Sequence, residues 1–287
     1  MESMWINAPA KINIGLDVTG VRDDGYHEVK MIMQTIRLFD RLTLTRKKDP
    51  GVRLTTNLKF LPTDDNNLIV QSAKLLIKEF NLPGGITINL EKRIPVAAGL
   101  AGGSTDAAST MIAINQMYEL GLSNSQLMKR AVRLGADIPY CIMKGTALAE
   151  GIGEKLSTVP KLPGCTILLV KPKLHVSTGE VYGGLVLDDN SVHPDIDRMI
   201  EDMKKRDLKS LCSHMGNILE SVTIPLHPEI ADIKTFLTEN GAIGSLMSGS
   251  GPTVFGIYDD RERAEAAKKA ALERFDKSFA FVTDLYR

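Results

Sequence analysis

The sequence has little cysteine, little aromatic side chain and no excess charge of either sign. Its three cysteines, Cys141, Cys165 and Cys212, are far apart and form neither a CxxC pair nor a Cys/His ligand set. That spacing argues against a disulfide framework and a zinc site, and reduced, buried thiols are expected instead. Lys plus Arg number 35 and Asp plus Glu number 35, so the formal net charge is zero. No global field exists to hold nucleic acid or an anionic membrane, although a local positive site is enough for a phosphate-bearing small molecule. No apolar run is long enough to span a bilayer. Met1-Glu2-Ser3-Met4-Trp5 lacks the basic and apolar stretches of a signal peptide, and a cytoplasmic location is expected. Internal repeats and low-complexity tracts are missing as well.

What is present is ordinary globular text, 43% hydrophobic and 24% charged over 287 residues, enough for two modest domains. Trp5 to Thr19 and Val29 to Arg46 read as strands separated by the turn cluster Arg22-Asp23-Asp24-Gly25. Asn67 to Phe80 carries an apolar stripe through Leu68, Ala73, Leu75, Leu76 and Phe80, and reads as a helix. Ile86 to Leu90 alternates as a strand. Helices are expected from about Ser104 to Leu120 and from Ser123, a suitable N-cap, to Leu134. Gly151 to Gly164 reads as a pause, and the domain boundary is expected there, between residues 158 and 159. Beyond it lie a strand at Cys165 to Val170, helices between Ser177 and Asn240 broken at Pro194, Pro225 and Pro228, and strand text flanking a glycine loop at Ser245 to Tyr258. A helix at Arg261 to Phe275 and a strand at Ser278 to Leu285 follow. Strands and helices alternate without a regular βαβ cadence, so the fold class is α+β.

The segment Pro95-Val96-Ala97-Ala98-Gly99-Leu100-Ala101-Gly102-Gly103-Ser104-Thr105 follows a strand and opens a helix. Glycine lets backbone approach a ligand closely, and the free N–H groups of a helix start favour a polyphosphate. Ser104 and Thr105 add hydroxyls for phosphate oxygens or Mg²⁺. Neither a Walker A loop nor a dinucleotide fingerprint matches this spacing. On its glycines alone, the segment reads equally well as a tight strand-to-helix turn.

Three blocks in order resemble the GHMP kinases, the family named for galactose, homoserine, mevalonate and phosphomevalonate. They are Pro9-Ala10-Lys11-Ile12-Asn13, the glycine segment just described, and Ser248-Gly249-Ser250-Gly251-Pro252 near the end. The resemblance implies a two-domain α+β architecture with an active site in the inter-domain cleft. It also implies ATP as co-substrate with Mg²⁺, for which Ser104 or Thr105 is the candidate ligand. Catalysis falls to Lys11 and Asp137, the latter in Gly135-Ala136-Asp137-Ile138-Pro139, after a helix and before a strand. By composition Lys11 is a snorkelling surface lysine and Asp137 a turn residue; the family pattern instead makes them an orienting cation and a general base. ATP contacts are implied for residues 95–105, for Gly249, Ser250 and Gly251, and for Asn67 in Asn66-Asn67-Leu68-Ile69, where Asn66 replaces the usual Asp. Ala97, Ala98 and Ala101 stand where the family commonly has glycine.

The block Asp24-Gly25-Tyr26-His27 resembles a branch of the family whose alcohol acceptor carries a diphosphocytidyl group. It implies that Tyr26 stacks on cytosine and His27 reads the base edge, with Thr178, Tyr182 and Asn13 completing the acceptor site. In isolation a lone histidine in a loop is structural. A family member acting on mevalonate or homoserine would have no base to clamp. A silent nucleotide-binding module would have no need of both Lys11 and Asp137. An RNA-binding role would require a basic-aromatic cluster that the chain lacks. The expected partners are therefore small molecules, with monomer and homodimer both left open.

Overall fold

Val, Ile, Leu and Thr recur through the first 50 residues and form two long strands, β1 (Ser3–Val21) and β2 (His27–Lys47). The computed structural model describes residues 2–286. β1 is buried without interruption from Ala8 to Val18, the mark of a strand covered on both faces. The chain divides into two compact units interleaved along the sequence. The first takes the chain up to Ala10, Leu38–Val96 and Ala101–Lys144; the second takes Lys11–Arg37, Ala97–Leu100 and everything from Gly145. A single cut at 158/159 does not describe this packing. β1 and β2, of 19 and 21 residues, change unit at Lys11 and Leu38, because a strand of that length rises about 3.3 Å per residue and outreaches one core.

In the first unit, β3 (Gly51–Thr56) is followed by α1 (Leu68–Glu79), β4 (Gly85–Glu91), α2 (Gly102–Met117), α3 (Asn124–Ala131) and α4 (Ile138–Met143). β4 pairs antiparallel with the C-terminal part of β2, from Arg41 opposite Glu91 to Lys47 opposite Gly85, and β3 lies parallel to β4. β3 is not anticipated by the sequence reading: only Leu54 in it is buried, so no apolar alternation marks it. α2 packs on α1 and α4 through Ala107, Ala108, Met111 and Ile114, all buried. Asn67 caps α1 by accepting from the Ile69 N–H, and Ser123 and Gln126 form a capping box on α3. α2 starts at Gly102, two residues before the expected Ser104, because glycine's poor helix propensity hides a first turn that needs close backbone approach. Asp137 precedes the short helix α4 rather than a strand; Pro139 sits in its first turn, where a missing N–H costs nothing.

The second unit contains β5 (Thr146–Gly151), β6 (Lys155–Thr158), β7 (Thr166–Lys171), α5 (Thr178–Gly183), α6 (Ile196–Lys205), α7 (Leu208–His214), α8 (Glu220–Leu226), α9 (Glu229–Glu239), β8 (Gly244–Met247), β9 (Val254–Tyr258), α10 (Arg261–Arg274) and β10 (Phe279–Asp284). β5 pairs antiparallel with the start of β2 and with β6, so the stretch read as a pause contains a strand. β10, β7, β9 and β8 form an antiparallel four-stranded sheet in that order. α9 and α10 cover it, burying Phe255, Ile257, Leu237, Ala267 and Ala271. Pro225 lies inside α8 rather than breaking the chain there; so close to the helix end it forgoes a single intrahelical bond. Among the described residues no helix is long and apolar enough to cross a membrane. None of the three cysteines is in a disulfide, and burial pushes the Cys212 thiol up to about 12, which makes it a packing residue rather than a nucleophile.

Candidate active site

From β4 the chain passes through Pro95 and into a loop with three left-handed residues, Ala97 (φ 49), Gly99 (φ 72) and Ala101 (φ 54). Such a conformation costs an alanine about 1–2 kcal/mol, so the loop holds its shape at two positions where glycine would be relaxed. Gly99 cannot be replaced without movement: a Cβ there would lie 2.0 Å from the Ser248 carbonyl oxygen. Gly103 is exposed and a Cβ on it would find only Leu68, at 3.9 Å. Ala101 supplies no side-chain cap to α2. The N–H groups of the first turn are therefore left for an anion, which the helix dipole also favours.

Four segments of the second unit meet around Lys11. The Lys11 N–H donates to the Leu100 carbonyl at 3.2 Å, and its Nζ donates to Asn13 Oδ1 at 2.6 Å. Lys11 is only 5% exposed, which rules out the snorkelling surface lysine. Asn13 is fully buried; its N–H donates to Ser248 Oγ, and that hydroxyl donates to the Gly99 carbonyl at 2.9 Å. The second glycine loop carries left-handed Gly249 and Gly251. Ser250 Oγ lies 2.9 Å from Thr178 Oγ1, which brings an expected ATP residue beside an expected acceptor residue. Asn217 Nδ2 donates to the carbonyls of Met247 and Gly249 at 2.9 and 2.7 Å. This buried asparagine escapes the sequence reading, since a lone Asn between helices carries no pattern.

The turn from Arg22 to His27 is held by charge at the surface. Arg22 donates to both Asp24 carboxylate oxygens and to Glu28, and Asp24 accepts from the Tyr26 N–H at 3.2 Å. Hydrogen bonding to the Arg22 guanidinium holds the Asp24 carboxyl below its ordinary value. The His27 ring stands 5.1 Å from that of Tyr182 at an interplanar angle of 55°, and Tyr26 is 59% exposed. His27 and Tyr182 are thus brought together from sequence positions 155 residues apart.

In the first unit, Asp137 is half-buried at the start of α4 and makes no capping bond to its own helix. The Asn67 side chain accepts from the Ile69 N–H and donates to the Pro62 carbonyl at 2.8 Å, which leaves one amide hydrogen for a ligand. Ser104 is half-buried, whereas Thr105 is fully enclosed and its Oγ1 has no hydrogen-bond partner.

The family model described as GHMP kinases N terminal domain matches residues 67–145, and that described as GHMP kinases C terminal matches residues 199–277. The chain belongs to the GHMP kinase family. A protein from Lachnospira eligens named 4-diphosphocytidyl-2-C-methyl-D-erythritol kinase is 49% identical over 286 residues, 100% of this chain and 99% of its own. One of the same name from Lachnoclostridium phytofermentans is 51% identical over 267 residues, covering 93% and 92%. A crystal structure of 4-(cytidine 5'-diphospho)-2C-methyl-D-erythritol kinase superposes with a TM-score of 0.83 at 32% identity, covering 98% of this chain and 99% of that one. A homoserine kinase from Cytophaga hutchinsonii reaches 0.82 at 21% identity over 99% and 95%, a likeness of fold alone.

A GHMP kinase takes ATP as its phosphate donor, and the residues present can be tested for a fit to the Mg²⁺ expected with it. Mg²⁺ prefers hard oxygen ligands and keeps several waters. The half-buried Ser104 hydroxyl fits that description; the enclosed Thr105 hydroxyl does not. Among the described residues no group of three or more His, Cys, Asp or Glu could hold an ion by itself. Phosphate oxygens and water would complete the shell of an ion at Ser104.

Proposed function

We propose that this GHMP kinase transfers the γ-phosphoryl group of ATP to the 2-hydroxyl of 4-diphosphocytidyl-2-C-methyl-D-erythritol, in the non-mevalonate route to isoprenoid precursors. The observation that carries the choice of acceptor is the His27–Tyr182 ring contact, formed from a turn whose Asp24-Gly25-Tyr26-His27 text has no use in a kinase of base-free alcohols. The names of the full-length relatives support the same acceptor. An aromatic face accepts any base, while hydrogen bonds at the ring edge choose among bases.

In the proposed reaction the acceptor oxygen forms a bond to the γ-phosphorus as the bridging bond to the β-phosphate breaks, releasing ADP. The hydroxyl proton passes to the Asp137 carboxylate. Lys11, oriented by its bond to Asn13, offsets charge on the transferring group. Magnesium held with Ser104 would supply further neutralisation. Phosphoryl transfer asks mainly for positioning and charge compensation, so few protein groups are needed.

The test is a competition between cytidine and uridine forms of the acceptor, with wild type and His27→Ala. Wild type should prefer cytosine, and the variant should lose that preference. Indifference of the wild type to the base, or efficient phosphorylation of mevalonate or homoserine, would remove the cytidine acceptor and leave the family assignment standing.

A further inference from the structure

Three charged side chains in the first unit are buried together beneath the phosphate loop. Lys92, just after β4, is 7% exposed, Asp106 in the first turn of α2 is 2% exposed and Asp40 on β2 is fully enclosed. The Lys92 ammonium donates to Asp40 Oδ2 and, at 2.7 Å, to Asp106 Oδ2. Asp40 Oδ1 accepts from the N–H groups of Arg93 and Ile94, at 2.5 and 2.8 Å. Arg93 and Ile94 are the last residues before Pro95, and Asp106 is the first after Thr105. The three side chains therefore tie the point where the chain enters the loop to the point where it leaves. Lys92 Nζ also lies 2.8 Å from where a Cβ on Gly102 would stand, so the ammonium rests against the first residue of the helix.

Burial of an ion cluster is a poor route to stability, since apolar groups of the same volume do as well or better. Its position accounts for it differently. Burial by itself would lower the Lys92 ammonium, but the Asp106 and Asp40 carboxylates outweigh it and leave its pKa raised. Lys92 is thus the cation held under the turn whose N–H groups face a ligand, while burial holds the Asp106 carboxyl well above its ordinary value.

We propose that Asp40, Lys92 and Asp106 are positioning residues for the nucleotide triphosphate, fixing both ends of the phosphate loop and so the aim of its backbone N–H groups. The inference rests on residues 95–105 being the nucleotide's phosphate site. Three consequences separate it from a purely structural role. Lys92→Met should weaken a non-hydrolysable ATP analogue by about tenfold or more, as small misplacements of positioning groups do, with the affinity for the diphosphocytidyl acceptor unchanged. Lys92→Met combined with Asp106→Leu removes one of the two carboxylates left without the ammonium, so part of the lost thermal stability should return while nucleotide affinity stays low. If Lys92→Met does not fold, Asp106→Asn, which keeps the shape, should shift nucleotide affinity in the same direction by less.

Calorimetry with both ligands, alongside thermal melts, reads all of these. Unchanged nucleotide affinity in the folded single variants, or affinity that recovers in step with stability in the double variant, would reduce the cluster to a support of the fold. Gly103→Val, which has room in the fold, serves as the control on the underlying assignment. If it weakens nucleotide while the cluster variants do not, the positioning proposal alone fails. If neither affects nucleotide, the triphosphate binds elsewhere and both fail.

Discussion

In the proposed phosphate loop the groups offered to a ligand are backbone N–H groups, and what shapes them is left-handed backbone at Ala97, Gly99 and Ala101 together with the buried Ser248 hydroxyl on the Gly99 carbonyl. In the Arg22–His27 turn the groups offered are side chains, and what shapes them is a surface network of Arg22, Asp24 and Glu28. A main-chain cradle tolerates little change in its neighbours but is indifferent to much of its own side-chain identity. A side-chain reader is the reverse, since its neighbours are solvated and their pairing contributes little, while loss of a ring removes the contact itself. Ala97 and Ala101 illustrate the first case and Tyr26, largely exposed, the second.

The largest effect should come from a residue belonging to neither construction. Asp137→Asn should bind ATP and acceptor nearly as wild type but turn over on the order of 10²–10⁴-fold more slowly, the range of a lost general base. Turnover measured with both affinities checks this, and a variant of near-native turnover would take the base role away from Asp137. Next comes Gly99→Ala, which forces a Cβ against the Ser248 carbonyl at a left-handed position. Strain and overpacking together should cost about 2–4 kcal/mol of stability, read by denaturant unfolding, with nucleotide affinity falling alongside. A stable variant with intact binding would break the claim that the loop depends on its buried surroundings. Smallest of the three is Tyr26→Ala. Loss of one stacking ring should cost about 1–3 kcal/mol in acceptor binding, with ATP affinity and melting temperature unmoved. A fall in melting temperature would place Tyr26 in the fold rather than in recognition.

Much of the architecture is legible along the chain because its signals are local. Ser123 and Gln126 form their capping box three residues apart, Asn67 caps the helix it precedes, and the valine- and isoleucine-rich text of β1 and β2 needs no partner to be recognised. The three family blocks are likewise contiguous. What escaped depends on residues distant in sequence: Asp40 meets Lys92 across 52 positions and Asn217 meets Gly249 across 32. β3 gave no alternation because its faces are mostly exposed, and the first turn of α2 was hidden by its glycines.

Residue identity and order were enough to nominate Lys11 and Asp137 as candidate reacting groups, through the family's motifs, and to mark the glycine segment as suited to a polyphosphate, because those signals lie in short contiguous stretches. Only folding settled which of those groups remain available. Thr105 was closed off and Ser104 left accessible, all but one amide hydrogen of Asn67 was engaged, and Lys11 was withdrawn from solvent onto Asn13. Burial and hydrogen-bond occupancy belong to the neighbours a side chain acquires, and those neighbours come from every part of the chain.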